Sequence, residues 1–394
     1  MKYLKHLTRT VWILSLVSMF TDTASEMLYP VMPIYLQKIG FSVLLIGILE
    51  GVAEAVSGLS KGYFGELSDA SGRRVPFVRA GYFLSALSKP LMAAFVYPLW
   101  IFFVRTLDRF GKGIRTGARD AILSGEATPE TKGRIFGFHR SMDTLGAVFG
   151  PALALIFLYF FPGKYRILFL IAFIPGILAV ISSSFLIEKK QTTHNALPVR
   201  FLSFFKYLTK SPPEYRKLVT GLLIFTLINS SDVFLLLKAK EAGLTDTTVI
   251  GAYIFYNLVY ALFSFPVGIL ADRFGLKRIF ISGLLLFSAV YSGMALNSNL
   301  YIFFLLFFIY GIFAAATEGI SKAWISNISA KEDTATAIGT FTALQSICTM
   351  LASSLAGLIW LKYGSMAALL ITGIIAIAVV IYFISVPKAV SGNR

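Results

Sequence analysis

The chain has 394 residues, of which 56% are hydrophobic and 14% charged, with a mean hydropathy of +0.74. Soluble domains average about 45–50% apolar and 25% charged residues, so water is not the main solvent of this protein. A formal charge of +16 fits Lys and Arg gathered in loops on the cytoplasmic side of a membrane better than nucleic-acid binding, and the single cysteine, Cys348, excludes an internal disulfide and a Cys-based metal site.

Lys2, Lys5 and Arg9 precede an apolar run that continues to Leu36 without a small-residue cleavage site, so this run reads as a first spanning helix rather than a removed signal peptide. A bilayer core needs about 20 apolar residues per helix, because unpaired backbone groups in hydrocarbon cost several kcal/mol each. Twelve segments meet that length, near 10–36, 44–66, 76–97, 99–122, 134–161, 165–187, 218–240, 246–271, 278–296, 299–325, 335–361 and 364–386. The expected fold is therefore an all-α membrane protein with twelve transmembrane helices.

Loop charge sets the expected orientation. Arg73, Arg74 and Arg79 follow helix two, Arg115, Arg119, Lys132 and Arg134 surround the end of helix four, and Arg273, Lys277 and Arg278 follow helix eight. The alternate loops are poor in bases, so both termini are expected in the cytoplasm and the chain in the cell inner (plasma) membrane. Glu188 to Lys217 breaks the hydrophobic pattern with seven bases and Pro212-Pro213. Its Phe201, Leu202, Phe204, Phe205, Tyr207 and Leu208 suit either a short amphipathic helix at the membrane surface or a flexible tether. This linker, 189–217, divides an N-terminal six-helix bundle, 1–188, from a C-terminal one, 218–394.

The two halves share a pattern. Gly65, Leu67, Asp69 and Gly72 correspond to Gly268, Leu270, Asp272 and Gly275, and Gly40 corresponds to Gly243, always 203 positions apart. An internal duplication explains the match, and two parallel repeats about an axis normal to the membrane create a central cavity suited to alternating access.

These residues resemble the major facilitator superfamily across essentially the whole chain. The carrier of the resemblance is G-x-L-x-D-x-x-G-R-R at Gly65 to Arg74, including Arg73, with its second copy at Gly268 to Lys277. The resemblance implies that this loop latches the halves on the cytoplasmic side, with Asp69 central. Arg109-Phe110-Gly111-Lys112-Gly113 looks like the family's R-x-x-Q-G pattern with Lys112 in place of Gln, which implies that Arg109 sits beside a proton-translocating group. Gly146-Ala147-Val148-Phe149-Gly150-Pro151 is similar to the family's antiporter signature, with Ala154 in place of the final Gly, and so favours proton-driven export over uptake. Phe20-Thr21-Asp22, Ser25-Glu26-Met27, Asp108-Arg109, Arg119-Asp120 and Phe136 to Arg140 resemble an uncharacterised bacterial subgroup close to proton-coupled drug and metabolite antiporters.

Charges within spanning helices cost about 2.5–3.5 kcal/mol each on insertion scales, so each calls for a partner or a role. Asp22 with Glu26, Glu50 with Glu54, and His139 with Asp143 are spaced i, i+4 on one helical face, and Arg105, Asp108, Arg109 and Lys112 fall within two turns. Asp22 and Glu26 are the leading proton-coupling candidates, followed by Asp108, Asp143 and Glu54. Static mutual neutralisation is the competing reading for any one of them. Arg105, Arg109 and Lys112 either bind an anionic substrate group or balance the acids. The second half offers Asp232, a Glu318–Lys322 pair expected to bridge mutually, and the cavity candidates Asn229, Tyr253, Tyr256, Asn257, Tyr260 and Gln345.

No H-x-x-x-H pair, phosphate loop or G-x-S-x-G elbow is present, so a membrane-embedded enzyme, a receptor or an ATP-driven pump is a weaker reading than a carrier. The expected protein is a monomeric, proton-coupled exporter of a small-molecule substrate in the lipid bilayer, needing no cofactor or metal and binding no nucleic acid. Uptake of a charged metabolite or siderophore is the alternative.

Overall fold

The computed structural model describes residues 7–29, 31–189, 199–297 and 299–385. Its elements are helices: α1 (Arg9–Glu26), α2 (Met32–Lys38), α3 (Val43–Ser71), α4 (Val75–Ala94), α5 (Pro98–Gly125), α6 (Lys132–Phe160) and α7 (Tyr165–Ser184) precede the linker. After it come α8 (Lys206–Lys210), α9 (Pro213–Ile228), α10 (Val233–Glu241), α11 (Asp246–Phe274), α12 (Leu276–Leu296), α13 (Leu300–Ile328) and α14 (Thr334–Ser385). The last is two helices joined at Gly364, whose φ of 86° breaks helical geometry.

Seven stretches are apolar and long enough to cross a bilayer by composition: 132–160, 165–184, 213–241, 248–274, 276–296, 300–328 and 334–385. None belongs to α1, α3, α4 or α5, where Asp22, Glu26, Glu50, Glu54, Lys61 and the charges of α5 dilute the apolar surface. The outer surface is nevertheless a lipid-type surface, with Leu99 85% and Leu361 86% exposed.

Two expected helices are interrupted. The first run divides between Glu26 and Met32, and the seventh divides between Ile228 and Val233. The second break holds Asn229-Ser230-Ser231-Asp232, four residues whose short polar side chains compete for backbone hydrogen bonds and so favour caps and turns over helix interiors.

The duplication is visible in the backbone. α3 and α11 are both 29 residues long and begin and end 203 positions apart. Ser42 caps the first by accepting from the Leu45 amide, and Thr245 caps the second by accepting from the Thr248 amide. Gly40 and Gly243 lead into these helices at φ of 95° and 96°, a left-handed turn that a side chain would strain.

Packing sorts the helices into two groups. α1 packs on α6 and α7, α3 on α5, and α4 on α5 and α7; α9 packs on α14, α11 on α13, and α12 on α13 and α14. The groups meet where α6 lies on α11 and α3 on α14. Glycines allow both meetings: a methyl on Gly65 would lie 2.5 Å from the Ala335 carbonyl oxygen, and one on Gly268 would strike the Gly133 carbonyl.

Of the linker, residues 190–198 lie outside the described residues. Beyond them, Phe201 and Leu202 are exposed while Phe204 is fully buried against Gly62 of α3, its carbonyl accepting the Thr340 hydroxyl of α14 at 3.2 Å. Ser203 donates to Glu66 at 2.6 Å, and Tyr215 donates to the Ala337 carbonyl at 2.8 Å. This part of the linker is thus seated in the α3–α14 seam.

Candidate functional site

A cavity of about 380 Å³ lies between the two groups of helices. The first group lines it with Asp22 and Glu26 of α1, Lys61 of α3, Lys112, Arg115 and Arg119 of α5, and Arg140 and Asp143 of α6. The second contributes Asn229 and Asp232 from the α9–α10 break, Tyr253, Tyr256, Asn257 and Tyr260 of α11, Glu318 and Lys322 of α13, and Gln345 of α14. Helix periodicity explains how these polar groups converge. Asp22 and Glu26, like Tyr253, Tyr256 and Tyr260, recur every three or four residues and so share one face.

Ion pairs cross the base of the cavity. Arg140 bonds Asp143 at 2.7 Å on its own helix, reaches Glu318 of α13 at 3.4 Å, and donates to the Tyr260 hydroxyl. Asp143 also accepts from Ser18. Asp120, 1% exposed, accepts from Arg119 at 2.9 Å and from Lys322 at 2.7 Å. The expected Glu318–Lys322 bridge is therefore not formed. Each member instead finds a partner in the other group of helices, because Arg140 and Asp120 offer closer, buried complements than the adjacent turn. Lys61 donates to Ser346 of α14 at 3.0 Å and lies 3.8 Å from Glu54. The Tyr253 hydroxyl approaches Glu26 at 3.4 Å.

Two lining charges stand apart from these pairs. Among the described residues, Asp22 and Lys112 have no hydrogen-bond or ion-pair partner within contact distance, and Lys112 is exposed to the cavity. An unpaired acid and an unpaired base on neighbouring helices can exchange a proton or take up a charged solute at little structural cost.

Other sequence candidates lie off the cavity. Arg105 holds Glu50 through two bonds of 2.8 and 3.1 Å, and Arg109 approaches Glu50 at 3.8 Å. Asp108 is buried and bonded at 3.0 Å to Lys89, which also reaches Ser25 at 3.3 Å. Asp108, Arg105 and Arg109 line a small side pocket that meets the main cavity's residues at Asp22, Glu26, Lys112 and Arg115. His139 is buried, with Nε2 unpartnered among the described residues, and does not line the cavity. Sequence reasoning missed Lys89, Lys61, Arg115, Arg140 and Tyr310. A lysine within the apolar third segment was the available signal for Lys89.

The repeated motif bridges the two groups of helices; its acids, expected in loops, lie in the last turns of α3 and α11. Asp69 binds Arg74 at 2.8 Å and accepts the Thr336 amide and hydroxyl at 2.7 and 2.9 Å, and Arg74 also donates to the Lys331 carbonyl at 3.1 Å. Asp272 accepts the Gly133 and Arg134 amides at 2.7 and 3.1 Å and the Arg134 guanidinium at 2.7 Å. Arg73 is exposed. At α6, Gly146 and Gly150 let α1 approach: a methyl on Gly146 would lie 2.5 Å from the Met19 carbonyl, and one on Gly150 2.8 Å from Glu26 Cβ, with Pro151 next in the helix.

A polar, charged cavity between two packed groups of helices defines a multi-pass membrane transporter rather than an enzyme. The chain belongs to the Major Facilitator Superfamily, whose family model matches residues 14–256 and 237–394. It is 34% identical over 379 residues, 93% of this chain and 94% of the other, to an uncharacterised transporter of this type from Methanocaldococcus jannaschii. It is 23% identical over 334 residues, 82% of this chain and 81% of the other, to a multi-drug resistance efflux pump homologue of Lactococcus lactis. The human organic anion transporter TETRAN has the same fold, with a TM-score of 0.79 at 17% identity, covering 95% of this chain and 99% of that one.

Proposed function

We propose that this transporter is a proton-coupled exporter that carries a small organic solute by alternating access between two six-helix bundles, 1–188 and 218–394, joined by the linker 189–217. In this reading the chain crosses the cell inner (plasma) membrane twelve times with both termini in the cytoplasm, works as a monomer, and takes up one or more protons on Asp22 or Glu26 as solute leaves. The observation that carries it is the unpaired Asp22 beside the unpaired Lys112 on the wall of a cavity formed by both groups of helices. An acid held in such a place changes proton affinity when a charged solute enters or when the cavity changes sides, and that is the coupling an antiporter needs. The antiporter-like Gly146 to Pro151 segment, packed directly on the helix that carries both acids, and the likeness to an efflux pump homologue support export.

The test is flux in proteoliposomes under an imposed pH gradient, with a solute found by a ligand-stabilisation screen on purified protein. Wild-type protein should move the solute opposite to the flow of protons, so that solute leaving the lumen acidifies it in step. Asp22→Asn or Glu26→Gln should keep binding and exchange while losing gradient-driven flux. Undiminished proton-driven flux in both variants refutes the assignment.

A further inference from the structure

The break between α9 and α10 holds four non-helical residues, of which Asn229 and Asp232 line the cavity. Asp232 is the only acid there, and both its oxygens are held by phenols: Tyr310 donates to one at 2.5 Å and Tyr256 to the other. Those bonds fix the carboxylate's orientation without cancelling its charge. Among the described residues no Lys or Arg pairs with it, unlike Asp120 and Asp143 across the cavity.

Aromatic faces enclose the same spot. Tyr253 meets Tyr256 edge-on at 5.4 Å, Tyr256 meets Tyr310 at 5.4 Å, and Tyr310 lies 5.3 Å from Phe313. A second polar atom faces the same break: Asn229 Oδ1, at its other edge, has no hydrogen-bond partner among the described residues and is free to accept from a ligand. An interrupted helix also leaves backbone carbonyls at the α9 end without helical partners. The site thus presents a carboxylate, an amide oxygen and ring faces, all of which attract positive charge, and no base.

We propose that the α9–α10 break is the seat of a positively charged amine of the transported solute, its ammonium against Asp232 and Asn229 and its carbon substituents against the rings of Tyr253, Tyr256 and Phe313. This rests on the reading of the cavity as the transport site and names the substrate class as organic ammonium compounds. The opposite wall, with Lys112 and Arg115, is left for whatever else the solute carries.

The experiment uses purified full-length protein, choline as probe, and its neutral carbon isostere 3,3-dimethylbutanol as control, in sucrose-balanced buffer with sodium chloride as a separate arm. Choline at tens of millimolar should raise the unfolding midpoint saturably by a few degrees, and the isostere should not, since only a ligand of the folded state shifts that midpoint. Asp232→Asn should abolish the shift. Asn229→Ala, which retains the carboxylate, should raise the half-saturating concentration several-fold and keeps the test valid if the first variant does not fold. Glu130→Gln, which removes an exposed acid away from the cavity, should leave the shift unchanged. Equal shifts from choline and its isostere, a choline shift that survives Asp232→Asn, or one lost equally in Glu130→Gln would overturn the proposal. So would no shift with choline, or an Asp232-dependent shift with sodium alone, which would assign the site to an inorganic cation. None of these results bears on proton coupling through Asp22 and Glu26, which the flux measurement decides separately.

Discussion

Asp69 and Asp272 stand 203 positions apart and make the same kind of bond in opposite directions, Asp69 accepting the Thr336 amide in the first turn of α14 at 2.7 Å and Asp272 the Gly133 amide in the first turn of α6 at 2.7 Å. Each carboxylate sits on one group of helices and caps a helix start of the other, where free N–H groups and the helix dipole favour a negative charge. Both bonds therefore tie one group of helices to the other, and we propose that together they latch one end of the cavity.

Removing one latch should open that end. Asp69→Ala deletes three bonds to charged or helix-start donors, each worth roughly 1.5–3 kcal/mol when a charged group is involved, so the closed form should lose population by a factor of about ten or more. The expected outcome is impaired turnover with solute binding retained. Alkylation of a single cysteine at Gln345→Cys, in a Cys348→Ser background, should become faster from the latched side. Unchanged labelling, or equal loss of binding and turnover, would count against a gating role.

The glycine contact behind that latch is a separate test. Gly65→Ala places a methyl 2.5 Å from the Ala335 carbonyl oxygen, well inside van der Waals contact, and backbone cannot move aside as a side-chain tip can. The α3–α14 seam should part, giving faster cysteine labelling from the latched side without loss of Asp69. Gly51→Ala, where a methyl meets nothing within 4 Å, should behave as wild type.

Much of this arrangement could be read from the sequence because it is local. The glycines that precede each helix and the acid that follows recur at one 203-residue spacing, which the sequence exposes twice, whereas the expected helices 44–66 and 246–271 stop short of Ser71 and Phe274, so Asp69 and Asp272, expected in loops, lie within helices. Partner choice was not legible in the same way. Glu318 and Lys322 are ideally spaced for each other, yet Arg140 and Asp120 from distant helices take them, since pairing inside the protein depends on which buried charges the fold brings close. The break at Asn229 to Asp232 had a signal, four turn-favouring residues in a row, that the apolar sequence on both sides concealed.

The linker makes a sharper prediction than its composition suggested. Phe204 fills the space against Gly62, where a methyl would lie 2.5 Å from the ring. Phe204→Ala should destabilise the protein by about 3–5 kcal/mol if the void stays open, and less if the seam collapses onto it. Gly62→Ala should also destabilise by expelling the ring. The pair together should recover part of the loss, and thermal unfolding of the two singles and the double measures the coupling. Additive losses would mean that Phe204 does not occupy the Gly62 groove.

Lys89 and Asp108 provide the cleanest separation of structure from transport. Both are buried, they lie 3.0 Å apart between α4 and α5, and neither lines the main cavity. Breaking such a pair by removing one partner leaves an uncompensated charge and typically costs 3–5 kcal/mol, whereas replacing both with neutral groups of similar volume is often close to neutral. Lys89→Met should therefore lower the unfolding midpoint strongly, Asp108→Asn should do likewise, and the double variant should return most of the way to wild type. Proton-driven flux should return with stability in the double variant if the pair is purely structural. A double variant that regains its unfolding midpoint yet remains uncoupled would move Asp108 from the scaffold into the proton path.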